Sequence, residues 1–119
     1  MLQIPVSVGE LIDKITILEI KFEKIKDEEK LINIRRELYE LQSLESPIEE
    51  KSKLKKINHA IWVTEDRIRE LEKELSFGDE FIKLARSVYK LNDERALVKK
   101  NINTFTNSHI VEEKSYSHL

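Results

Sequence analysis

The chain has 119 residues, a formal net charge of −2 and no cysteine, and its 21 basic residues nearly balance 23 acidic ones. That length suits one domain, 1–119. The charge balance argues against nucleic acid as main partner, and the missing cysteines exclude a disulfide framework or a thiolate site. No apolar run is long enough to span a bilayer and no basic region precedes an apolar leader, so a cytoplasmic protein without a membrane partner is expected.

Two glycines and two prolines leave little room for β-turns, so helices should dominate. Helix 1 opens on Ser7 and Glu10, which have capping-box spacing, with Val6 and Leu11 placed for a hydrophobic staple. Leu11, Ile15, Leu18, Phe22 and Ile25 form its seam. Ile17 and Ile20 lie on the other side, on an outward strip between Asp13 and Lys24. A helix apolar on two faces is either central in its bundle or shared with a second subunit. Antiparallel to its own copy, this strip would set Asp13 near Lys24 of the second chain, so Asp13, Ile17 and Ile20 are the candidate interface.

Asp27, Glu28 and Glu29 suit the first turn of helix 2, whose seam is Leu31, Ile34, Leu38 and Leu41. The link is short enough that helices 1 and 2 could be one rod or two. Ser46-Pro47-Ile48-Glu49 reads as a second capping box, with proline at the first helical position. Helix 3 carries Leu54, Ile57, Ile61, Thr64, Ile68, Leu71 and Leu75 at bundle or coiled-coil spacing. The basic run Lys51, Lys53, Lys55 and Lys56 reads as a solvated face. Gly78 is placed to take a left-handed cap and Asp79 to start helix 4.

Helix 4 runs from about Asp79 to about Thr106, closed by Asn107 and Ser108. Its seam is Phe81, Leu84, Val88, Leu91, Val98, Ile102 and Phe105. Arg95 fills the slot where that seam should be apolar, and a charge there needs a carboxylate or an anionic ligand. The tail, 110–119, is too short to fold alone and either docks or frays. Short links favour antiparallel neighbours. The expected architecture is all-α: an antiparallel helical bundle or long helical hairpin of three to four helices with an extended C-terminal tail. The two-faced helix 1 and an overhanging helix 3 point to a homodimer or another protein partner.

Helical geometry groups Asn92, Arg95 and Lys99 on helix 4, Asn58, Trp62 and Glu65 on helix 3, and Glu19 on helix 1. Arg95 offers a planar fork for a carboxylate or phosphate, with Glu19 and Glu65 as its expected protein partners. Besides an arginine that snorkels to solvent, two accounts stay open. Arg95 is either a register-fixing salt bridge or, with Lys99, Asn92 and Asn58, the wall of a pocket for a small anion. Trp62 and Tyr89 read as core-edge packing residues. His59, His109 and His118 lack ligand spacing, so neither a metal site nor a cofactor is expected. No Ser-His-Asp set or phosphate loop is present. A non-enzymatic interaction module is the leading functional reading. A small all-helical enzyme or binder of an anionic metabolite, using Arg95, Lys99, Asn92 and Glu65, is the alternative.

Several segments together — Pro5 to Lys21, Asn33 to Leu38, Phe77-Gly78, Leu84-Ala85-Arg86, Tyr89, Asn92-Asp93, Arg95 and Glu112 to Tyr116 — resemble a bacterial and phage-borne family of unknown function. Some of its members sit beside tetratricopeptide-repeat or glycosyltransferase modules. The resemblance covers nearly the full chain. It implies no activity, cofactor or catalytic residue, but a link to surface-polysaccharide or glycan pathways. It also implies that the tail docks on the bundle, with Tyr116 as its anchor.

Overall fold

The computed structural model describes residues 1–115, and all secondary structure among them is helical. The four α-helices are α1 (Val8–Lys24), α2 (Glu28–Gln42), α3 (Lys51–Lys73) and α4 (Asp79–Phe105). α3 and α4 form a long antiparallel hairpin. α1 packs against α2, α3 and α4, whereas α2 packs on α1 alone.

That placement explains the two apolar faces of helix 1. They serve three neighbours in the same chain, and Ile12, Ile15, Leu18 and Ile20 are all buried. The main core of Ile12, Leu54, Ile57, Val98 and Ile102 sits where α1 crosses the hairpin, with Val8, Ile48 and Ile61 packed around it. Beyond that crossing the hairpin overhangs. Leu71 is buried there, and Phe77 and Phe81 stack edge to face at 5.2 Å. Arg67 adds an exposed tie between the arms, its Nε and Nη2 reaching Glu80 at 3.0 and 2.9 Å. The overhang shows in the radius of gyration, 16.1 Å, against about 13.5 Å for a compact domain of this length.

The first two helix starts are capped by side chains and the last two are not, α4 beginning on Gly78 with Asp79 as its first helical residue. Ser7 Oγ accepts from the Glu10 amide, and the Asp27 carboxylate accepts from the Glu29 and Lys30 amides. Ile25 is extended, so helices 1 and 2 are two helices and not one rod. The second capping box does not form: α3 begins at Lys51, after a turn in which the Lys51 amide donates to the Ile48 carbonyl.

The ends hold two further findings. α3 does not close on Gly78, whose φ is −83° and which instead precedes α4. The left-handed position falls on Leu75, φ 55°, with the Ser76 amide donating to the Leu71 carbonyl in a Schellman motif. α4 ends in the same motif on Asn107, φ 53°, with the Ser108 amide on the Asn103 carbonyl. Phe105, expected in the seam, is 81% exposed, although Ile102 and Asn103 in the same turn are buried. The lysine run is not wholly solvated either. Lys51 bridges Glu19 and Glu45, and Lys55 bridges Glu19 and Glu23.

Candidate functional site

Gly9, Asp13, Thr16 and Ile20 recur at steps of four, three and four, so they share one stripe of α1. Three of the four are small or short, which lets α3 and α4 approach closely. Asp13 is fully buried among them. Its Oδ1 accepts from Arg95 Nε at 3.0 Å and from Asn58 Nδ2 at 2.8 Å. Its Oδ2 accepts from Arg95 Nη2 at 2.5 Å and lies 3.7 Å from Lys99 Nζ. The arginine therefore grips the carboxylate with two parallel bonds, the strongest geometry available to such a pair.

The shell around this bridge is closed by its neighbours. Asn58 Nδ2 also donates to Thr16 Oγ1, whose hydroxyl donates to the Asp13 carbonyl. Lys99 Nζ pairs with Glu10 at 2.5 Å. Arg95 Nη1 reaches Asn92 Oδ1 at 3.4 Å, and Asn92 donates to the Val88 carbonyl, the acceptor one turn earlier. Hydrogen bonding to Asp13 raises the Arg95 guanidinium above its ordinary value, against the opposing effect of burial. The Arg95 side chain keeps 28% exposure and that of Asp13 only 1%, so the two partners are not equally able to reach water.

Arg95, Lys99, Asn92 and Asn58 thus converge, but on a residue assigned to the wrong surface. Neither Glu19 nor Glu65 is the partner of Arg95. Glu19 is held by Lys51 and Lys55, and Glu65 lies 4.0 Å from Arg69. The outward strip of α1 is not outward: Asp13 and Ile20 are buried inside the chain, and Ile17 is half-buried. A single-seam reading treats everything opposite the seam as solvent-facing, which fails for a helix with neighbours on three sides. Ile17, Ile61, Trp62, Glu65 and Asp66 line an open recess of about 340 Å³ beside Arg95.

A second cluster ties the segment after α4 to the start of α1. The Gly9 amide donates to Asn103 Oδ1 at 2.6 Å, and the Val8 amide to Ser108 Oγ at 3.0 Å. The Glu112 carboxylate accepts from Ser7 Oγ at 2.6 Å and from Asn103 Nδ2 at 3.3 Å. Burial, the largest single influence, pushes the Glu112 carboxyl up. Hydrogen bonds from Ser7, its own amide and Asn103, with the charge of Lys99, outweigh it and leave the group below its ordinary value. Sequence alone marks Ser7 as a helix cap, Ser108 as a helix closer and Glu112 within a docking tail, but it does not show that these meet Gly9 and Asn103 in one cluster. The proposed anchor, Tyr116, lies outside the described residues.

Fold and site together define an all-α domain in which a helical hairpin grips a crossing helix through a buried guanidinium–carboxylate bridge. The chain belongs to a family of unknown function, DUF6165, whose family model matches residues 2–118. No curated protein and no solved structure matches it. No helix among the described residues is long and apolar enough to cross a membrane.

Proposed function

We propose that this chain is a non-enzymatic helical interaction module, its buried ion cluster fixing the register of α1 on the hairpin. The observation that carries this reading is charge closure at Asp13. Each cation a small dianion would need, Arg95 and Lys99, already holds a carboxylate of the same chain. A pocket built for an anion would keep those donors open, as stabilisation of developing charge requires. The overhanging hairpin meanwhile leaves Val63, Ile82 and Tyr89 between 41 and 52% exposed, on surface that no other part of the described chain covers.

The competing reading is a binder or enzyme for an anionic metabolite, and calorimetric titration separates the two. Inorganic phosphate, pyrophosphate and a sugar nucleotide form the panel, the last chosen for the glycan setting that the sequence resemblance implies. The module reading expects no saturable heat with any of them. Stoichiometric binding that is lost in Asn92→Ala or Lys99→Met, with helical content unchanged by circular dichroism, would overturn it.

A further inference from the structure

The outer face of α4 carries Ile82, Arg86, Tyr89, Asp93 and Leu97, at steps of four, three, four and four. This is the face opposite the seam that packs on α3 and α1. Ile82, Tyr89 and Leu97 are 52, 41 and 61% exposed. Arg86 and Asp93 are exposed, and among the described residues neither makes a salt bridge. A stripe of three large apolar side chains with two unanswered opposite charges between them is an unusual thing to leave in water.

The charges along the stripe are polarised. Lys83, Arg86 and Lys90, with Asp79, surround Ile82 toward one end, a net positive set. Asp93, Glu112 and Glu113, with Lys100 and Lys114 among them, rim a recess of about 260 Å³ at the other end, floored by Ala96 and Leu97; Lys100 pairs with Glu113, and the set is net negative. A basic end and an acidic end on one straight element complement each other when two copies run antiparallel. In a two-fold interface every contact between residues i and j is made twice. With the axis between Tyr89 and Lys90, position i faces 179 − i of the second copy. Ile82 then falls on Leu97 of the second copy, Arg86 on its Asp93, and the two Tyr89 rings meet near the axis. The stripe spans about 22 Å at 1.5 Å per residue.

We infer that two copies of this chain pair antiparallel through the outer face of α4, with Ile82 seated in the recess floored by Leu97 and Arg86 paired with Asp93. The inference rests on the interaction-module reading and names its partner, a second copy. It replaces the interface on α1, whose Asp13 and Ile20 are occupied within the chain.

Light scattering across a concentration series tests the association, and charge exchange tests the register. Arg86→Asp or Asp93→Arg alone should weaken dimerisation by about tenfold or more, since each turns two attractive pairs into two repulsive ones. The double exchange Arg86→Asp with Asp93→Arg should restore it. The chain has no cysteine of its own, so Ile82→Cys and Leu97→Cys report register directly. Mixed, the two single variants should form a disulfide-linked dimer on mild oxidation, and neither should do so alone. A wild type that stays monomeric at all concentrations overturns the inference, as does a dimer indifferent to these substitutions. Neither result touches the module reading, which only saturable anion binding defeats.

Discussion

Gly9 meets Lys99 backbone to backbone. A Cβ on Gly9 would stand 2.6 Å from the Lys99 carbonyl oxygen and 2.9 Å from Asn103 Oδ1. The first of these atoms is main chain and cannot swing aside. Alanine is the better helix former by about 1 kcal/mol, but overpacking costs about 1–3 kcal/mol, and the added methyl would also push on the Asn103 oxygen that accepts from the Gly9 amide. Gly9→Ala should therefore destabilise the fold by about 2 kcal/mol, read from the midpoint of urea unfolding. An unchanged or raised midpoint would show that α1 does not approach α4 this closely.

Asp13 and Arg95 should respond unequally to loss of their partner. Arg95→Met strands a carboxylate that is 1% exposed, and Asn58 with a lysine at 3.7 Å cannot replace a two-bond grip. The expected cost is about 3 kcal/mol, the lower end for breaking a buried pair. Asp13→Asn keeps the shape and strands a guanidinium that is 28% exposed and able to hydrate, so it should cost less, about 1–2 kcal/mol. Thermal and urea unfolding of the two variants give the order, and a reversed order contradicts the burial assigned to Asp13.

Leu75 holds a left-handed conformation, φ 55°, at the end of α3 while 75% exposed. The conformation costs a non-glycine residue about 1–2 kcal/mol, and the exposed side chain contributes little packing in return. Leu75→Gly should stabilise the protein by about 1 kcal/mol, visible as a higher unfolding midpoint.

Glu112 links stability to pH. Its folded carboxyl lies below the ordinary range, so its contribution is present above that range and is lost as pH falls through the folded value. An ordinary glutamate titrates near 4.3, so the clasp on Ser7 should loosen on acidification below about pH 4. Amide exchange at Val8, Gly9 and Glu10, after correction for its intrinsic pH dependence, should show protection falling in that window. In Glu112→Gln the protection should be lower at neutral pH, and its acid step should be absent.

Much of this architecture was readable along the chain. The order of four helices, the Ser7 and Asp27 starts and the Asn107-Ser108 close are local signals that need no partner. Arg95 announced itself by interrupting a seam. Its partner did not, because Asp13 looks solvent-facing until a third helix covers it. The small residues at Gly9 and Thr16, one turn either side of Asp13, were the available signal that another helix comes close. Leu75 took the left-handed cap although Gly78 suits it better; Leu71 is the last buried residue of α3, and the chain turns within one helical turn of it. The Glu112 contact spans 105 positions, and no periodicity reports on pairings at that separation.

The central claim is that Asp13 and Arg95 act as one closed unit, and a double-mutant cycle tests it most directly. Urea unfolding of wild type, Asp13→Asn, Arg95→Met and the double variant gives their coupling energy. The account predicts that Asp13→Asn costs little once Arg95→Met is made, a coupling of about 1–2 kcal/mol. Costs that add to within about 0.5 kcal/mol would contradict it.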